Sequence, residues 1–272
     1  MLFGYDQGLF GGILTSEPFL ETLGNPNPTM SGLTTAIYDI GCALGAVAAY
    51  IWGDRLGRRN SIIYANIIVI VGAAIQTASF EYWQMFVSRI IAGVGVGLST
   101  VAVPILQSET LPARSRGAML VIQAVVVLIG VSSASWLCFA FLYTEASLQW
   151  RLPVAIQIVF SGLVLVSTLF IPETPRWLAS QNRVEEARNV IARLLDRPED
   201  DEAVTGQLTE ILDALATETE GEQAVGWLEV FSNRTKSRNL HRVLIGMGPY
   251  MMNQWSGTNA LTVCHICPSQ LS

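Results

Sequence analysis

The sequence predicts an all-α protein that threads a lipid bilayer several times, and three observations lead there. Of its 272 residues 51% are hydrophobic and 14% charged, with a mean hydropathy of +0.42, and so few charges could not coat a soluble surface of that size. The apolar residues gather into runs of about 20, the length a helix needs to cross hydrocarbon. Of the 16 Lys and Arg residues, all but Arg89 and Arg151 fall in three of the segments between those runs, the asymmetry expected of cytoplasmic loops.

The chain is organised around residues 52–59, W-G-D-R-L-G-R-R. Here Asp54, Arg55, Arg58 and Arg59 sit between two apolar segments, 31–51 and 60–80. The first holds one ionisable residue, Asp39, and the second none. A charged hairpin turn between two spanning helices follows, placed in the cytoplasm by its arginines. Before it, residues 1–23 are Gly-rich and apolar but short for a full span, which predicts a first helix lacking its N-terminal turns. No basic region precedes it, so a signal peptide is not expected. Glu17, Pro18, Glu21 and G-N-P-N-P at 24–28 make an outer loop. After the hairpin come runs at 83–107, 117–143 and 152–171, with the Arg-bearing segment S-E-T-L-P-A-R-S-R-G at 108–117 inside. Six helices with both ends inside satisfy this pattern.

From 173 the composition turns soluble. Residues 183–195 place Val184, Ala187, Ile191 and Leu194 on one face opposite charges, an amphipathic helix. Pro198 stops it and 202–218 can form a second. Arg234, Lys236, Arg238 and Arg242 mark the return to the inner surface, and a seventh apolar run starts at Val243. The expected division is a transmembrane domain over 1–172, a cytoplasmic helical linker over 173–241, and a partial helix with an atypical tail over 242–272.

An ionised carboxylate inside a spanning helix is costly unless paired, hydrated or neutralised, so Asp6, among glycines in the first helix, is a functional candidate. Arg89 is its natural partner. A pair that forms when Asp6 is ionised and parts when it is protonated would let one proton switch a contact between helices. The plainer alternative places Asp6 near the surface. Asp39, beside Tyr38 and the small-residue stripe 41–45, reads as a structural hydrogen-bonding residue, and the G-x-x-x-G spacing of that stripe favours close helix packing. Gln123, Gln254 and Asn259 are amides in apolar helices. They suit a ligand made of hydroxyls and equally suit gluing helices together.

Several patterns carry no function. Gly93, Gly95 and Gly97 lack the strand–turn–helix context of a dinucleotide loop. C-H-I-C at 264–267 is too isolated to predict a metal site, and Cys42 and Cys138 lie in apolar runs, so no disulfide framework arises. His241 and His265 have no nucleophile or ligand set around them, which leaves no catalytic residues to name and no enzyme activity, cofactor or metal to expect. No basic patch interleaved with aromatics points to nucleic acid. The sequon Asn233-Arg234-Thr235 falls on the cytoplasmic side and should stay unmodified.

Seven motifs in register resemble the sugar porter family of the major facilitator superfamily, particularly fungal hexose transporters. They are G-Y-D-Q-G-L-F-G-G from Gly4, G-D-R-L-G-R-R from Gly53, R-I-I-A-G-V-G-V-G from Arg89, E-T-L-P-A-R-S-R-G from Glu109, W-R-L-P from Trp150, P-E-T-P-R-W-L from Pro172 and N-Q-W-S-G-T-N from Asn253. The resemblance implies the N-terminal six-helix half of a twelve-helix carrier, with a cytoplasmic helical insert and part of a seventh helix, moving a monosaccharide by alternating access. It implies that Asp6 and Arg89 form a proton switch and that Gln123, Gln254 and Asn259 contact sugar, with Asn253 standing where the family usually has Gln. Asp54, Arg58, Glu109 and Arg116, with Arg55 and Arg59 of the same turn, match an inner charge network that latches the helices outward-facing. Glu173 and Arg176 lie in the same layer. The family pattern stops at Asn259, and residues 261–272 match nothing in it, so the chain is expected to own one wall of a substrate site and not to transport alone. The partners implied are a sugar, protons and the bilayer, with the plasma membrane as location and the N-terminus in the cytoplasm. The rival reading is a sugar sensor or interaction protein that keeps the fold without transporting.

Overall fold

The computed structural model describes residues 1–14, 16–144, 147–222, 244–248, 251–252 and 255–256. All regular elements among them are helices. In order they are α1 (Leu2–Ile13), α2 (Glu17–Thr22), α3 (Pro28–Leu56), α4 (Arg58–Thr77), α5 (Tyr82–Thr110), α6 (Ala113–Phe141), α7 (Leu148–Leu169), α8 (Pro175–Ser180), α9 (Val184–Leu195) and α10 (Glu202–Glu222). Five of them, α3 to α7, are long and apolar enough to cross a bilayer. The expected first helix is present as the 12-residue α1. The spanning helices run a turn or more past several apolar runs: α3 starts at Pro28 and ends at Leu56, so the hairpin charge Asp54 lies on helix and only Gly57 turns the chain.

Residues Met1–Trp177 form one compact unit. Its packing rests on α5, which lies against α3 and α4, while α1 packs on α6 and α4 on α7. Missing side chains make these approaches possible. A Cβ on Gly97 would collide with the Cys42 carbonyl oxygen on α3, and one on Gly95 would stand 2.7 Å from that of Ala65 on α4. The glycines at alternate positions therefore serve two helices on opposite sides of α5. Gly41 and Gly45 return the favour from α3, and Gly4 and Gly8 bring α1 onto the α6 backbone at Val127 and Val131. Beside the α1–α6 contact sits an apolar core of Tyr5, Leu9, Phe10, Phe19, Met85, Trp150 and Val154, stitched by edge-on rings, Tyr5 on Phe160 at 5.3 Å and Phe19 on Trp150 at 5.4 Å. In contrast α3 and α6 leave Leu44, Val47, Leu120, Val121, Leu128 and Trp136 more than half exposed, which suits lipid or further protein as the neighbour.

The unit that begins at Leu178 contains α9 and α10, which pack together. Its buried stripe is Ala187, Val190 and Ile191 from α9 with Val204 and Leu208 from α10. Leu194, expected on the apolar face, is 47% exposed, because α9 ends one residue later and Asp196 turns left-handed at φ 53°. The Asp201 carboxylate then accepts the Ala203 N–H at 2.8 Å at the start of α10.

Candidate functional site

Two sets of charges stand out in the first unit, one deep among the helices and one at the end where α3 meets α4. The deep one joins α1 to α5. Asp6 is 0% and Arg89 1% exposed, and Arg89 Nη1 donates to Asp6 Oδ1 at 3.0 Å and to Oδ2 at 2.8 Å. The plainer expectation, Asp6 near the surface, is thus replaced by a fully buried ion pair. The guanidinium lies between two rings, its Cζ 3.4 Å from the Phe10 centroid and 4.4 Å from that of Tyr38, so α1 and α3 both supply aromatic faces to a desolvated cation. A third helix reaches the carboxylate: Gln157 Nε2, on α7, donates to Asp6 Oδ1 at 3.2 Å. From the residue before Asp6, the Tyr5 hydroxyl donates to the Pro153 carbonyl of α7, one turn before Gln157, at 2.8 Å. A carboxylate held this way by groups from two other helices can couple their positions to its charge.

The second set clusters around Arg58. It donates to Glu109 of α5 through Nε at 3.2 Å and Nη2 at 3.1 Å, and to Asp54 of α3 through Nη1 at 3.0 Å. Asp54 is largely solvent-exposed whereas Glu109 is buried, so the Glu109 contact is the stronger of the two. The Thr174 hydroxyl donates to the other Glu109 oxygen at 2.6 Å. Glu173 stands over the start of α4 and accepts the backbone N–H groups of Arg59 at 3.2 Å and Asn60 at 3.3 Å, the place where unpaired amides and the helix dipole favour an anion. Gly57 makes room for it: the residue sits at φ 87°, and a Cβ there would come 2.5 Å from Glu173 Oε1. Arg59 turns the other way and donates to the Thr168 and Leu169 carbonyls at the end of α7, at 3.3 and 2.8 Å. The Trp177 indole donates to the Asp54 carbonyl at 2.8 Å. One layer thus ties α3, α4, α5, α7 and the segment after α7.

Two members expected in that layer stand apart from it. Arg116 is bonded to the Leu111 carbonyl at 3.2 Å, exposed on the first turn of α6, and Arg55 is exposed on α3. Arg176 is half-buried on α8. Asp39 is exposed on α3 with no hydrogen bond among the described residues, so it is the small-residue stripe beside it, not its carboxylate, that carries structure there. Gln123 lies on α6 with its Oε1 buried and unpartnered among the described residues. Asn253, Gln254 and Asn259 lie outside the described residues, as do Arg234, Lys236, Arg238, Arg242, the 233–235 sequon and the C-H-I-C cluster. Among the described residues no group of His, Cys, Asp or Glu is placed to hold a metal.

Sequence reasoning missed Gln157, Thr174, Phe10 and Trp177. Gln157 carried a signal, being the one amide within the apolar run 152–171; the others are ordinary residues whose role arises from contact alone.

Comparison with known proteins adds the following. Residues 1–264 match the family model described as sugar (and other) transporter, so the match runs past Asn259, where the motifs alone led it to be expected to stop. The chain is 37% identical over 265 residues to the MFS-type transporter oryC of Aspergillus oryzae, covering 96% of this chain and 49% of that protein. It is 36% identical over 272 residues to the sugar transporter STL1 of Saccharomyces cerevisiae, covering 95% and 47%. Among solved structures it resembles the partially occluded inward-open xylose transporter XylE from E. coli, with TM-score 0.78, 21% identity and coverage of 96% and 62%. The proton:xylose symporter XylE bound to 6-bromo-6-deoxy-D-glucose gives TM-score 0.74 at 23% identity, over 85% and 53%. The chain spans about half the length of the curated relatives it matches.

Proposed function

This chain belongs to the sugar transporter family as a multi-pass integral membrane protein, and from that premise we propose that it forms the N-terminal half of a carrier that moves a monosaccharide together with a proton by alternating access. The observation that carries the proton is the buried pair of Asp6 and Arg89 at 2.8 Å. Neutralising Asp6 leaves Arg89 without its counter-charge and favours separation of α1 from α5, so one proton biases helix arrangement. XylE, whose fold this chain shares, is described as a proton:xylose symporter, which supports the same coupling. Gln123, Asn253, Gln254 and Asn259 are assigned to the sugar, amides being matched to hydroxyls. The Arg58, Glu109, Asp54 and Glu173 layer is assigned to holding one conformation of the cycle. The arginine distribution puts that layer and the N-terminus in the cytoplasm, and a hexose carrier of this kind belongs in the plasma membrane.

The test is uptake of labelled hexose in yeast devoid of its own hexose carriers, using this chain fused to the C-terminal half of a curated relative. Accumulation should collapse when the proton gradient is dissipated and in Asp6→Asn, while sugar counterflow persists. Accumulation indifferent to both would remove the proton from the mechanism. The unfused chain should carry no flux, since a midplane site between two halves needs both.

A further inference from the structure

Next to the ion pair lies hydrogen-bonding capacity that the ionised state leaves unused. Gln157 spends its Nε2 on Asp6 Oδ1 at 3.2 Å, and its Oε1 is buried with no partner among the described residues. That orientation is the one an ionised carboxylate demands, because it can only accept. One turn further along the same face of α7 is Ser161, 0% exposed, whose hydroxyl likewise has no partner among the described residues. A helical serine ordinarily donates to a carbonyl one turn back, and on α7 itself Ser167 and Thr168 do so, to Leu163 at 2.8 Å and Val164 at 2.7 Å. Ser161 does not. Buried polar atoms are seldom left unmet, and here an acceptor and a hydroxyl one turn apart on α7 are both unmet among the described residues and are not bonded to each other.

We propose that Gln157 and Ser161 are positioning residues that recognise the protonated form of Asp6, the side-chain amide of Gln157 reversing when the proton arrives. The proposal rests on the assignment of Asp6 as the proton carrier. The proton binds at Oδ1, and the new O–H donates to Gln157 Oε1. The side chain swings along α7 as it reverses, so that Nε2 donates to Ser161 Oγ. One proton is taken up at the carboxyl and none at the amide or hydroxyl, and both unmet atoms acquire partners. Arg89 is then released from its counter-charge, which ties the α7 side chain to the α1–α5 contact. The other titratable or charged groups facing Asp6 are Arg89 of α5, Tyr38, Asp39 and Cys42 of α3, and Tyr5 of α1, with Cys138 of α6 beside Tyr5. Tyr38 also has a buried hydroxyl without a partner among the described residues; Gln157 differs in already donating to the Asp6 carboxylate while its own acceptor stays unused, and so can serve either charge state.

The experiment is pH-difference infrared spectroscopy on this chain in phospholipid nanodiscs, with isotope-labelled glutamine. The carboxylic acid band that Asp6→Asn removes should rise together with a shift of one glutamine side-chain amide band, and Gln157→Leu should abolish that shift. Ser161→Ala removes an acceptor needed only by the protonated state, so the midpoint of the Asp6 band should move to lower pH by about tenfold in proton concentration, the loss of one hydrogen bond of ordinary size. Ser161→Thr should restore it. A glutamine band that stays still while Asp6 titrates, or an unmoved midpoint in Ser161→Ala, overturns the proposal and leaves Asp6 as the proton carrier. Absence of any Asp6 band overturns both.

Discussion

Replacing Asp6 by Asn removes a charge with almost no change of volume, and its cost can be worked from the surroundings of Arg89. The guanidinium is 1% exposed and its ion-pair partner is Asp6, at 2.8 Å. With charge centres about 4 Å apart and an effective dielectric near 20, the lost attraction is about 4 kcal/mol. That agrees with the roughly 3–5 kcal/mol found when one member of a buried pair is removed. The Phe10 and Tyr38 faces keep their hold on the cation and offset about 1 kcal/mol of the desolvation. The expected loss is therefore about 3 kcal/mol, measured by SDS-driven unfolding of the chain in mixed micelles at neutral pH. Arg89→Met alone should cost a similar amount, and Asp6→Leu combined with Arg89→Met should recover most of it, since no unpaired charge remains. If Asp6→Asn lies within about 0.5 kcal/mol of the parent, the range of an uninvolved surface site, or if the two single losses simply add, the ion pair is not what holds α1 to α5.

Three further outcomes test other parts of the structure. In the same assay Gly97→Ala should destabilise by about 1–3 kcal/mol because its Cβ meets the Cys42 backbone, whereas Gly162→Ala meets nothing and should stabilise by up to about 1 kcal/mol through helix propensity; equal signs would refute the glycine-mediated packing. Glu173→Gln weakens the anion over the first turn of α4 and should cost about 1 kcal/mol, seen as faster hydrogen exchange at the Arg59 and Asn60 amides, and unchanged exchange would deny the cap. The Ala203 N–H, followed by the Arg197 guanidinium at 3.1 Å, holds the Asp201 carboxyl below its usual range. A value lowered by folding gives stability that is complete at neutral pH and fades as pH falls through the folded value, below about 4. The Ala203 amide should therefore lose exchange protection on acidification, and in Asp201→Ala it should be unprotected throughout; acid-independent protection in the parent would contradict the capping role.

How much of this was legible from residues alone varies from element to element. The helices α3 to α7 were visible because lipid as solvent demands long apolar runs, and the turn at Gly57 was visible because charges interrupt them. The Asp6–Arg89 pair followed from the cost of isolated intramembrane charge, which leaves few candidate partners. Gln157 escaped notice because an amide in an apolar helix is ambiguous until its neighbour is known. Arg116 was assigned by motif to a network in which it takes no part, since the start of α6 points it outward to Leu111. Leu194 obeyed the helical period but fell in the last turn of α9, where the chain turns away at Asp196 and leaves it half-exposed.

The sequence by itself determined the class, the spans, the family and the identity of the buried acid and base, because each depends on local composition or on motifs contiguous in the chain. Only the tertiary structure decided that Gly93 and Gly97 meet α3 while Gly95 meets α4, that Glu173 caps α4 across more than a hundred residues of sequence, and that three helices converge on one carboxylate. Those outcomes hinge on how far each helix is rotated and shifted against its neighbours. Rotation and shift are fixed by side-chain shape at contacts distant in sequence, where periodicity specifies which face is apolar but not what that face will touch.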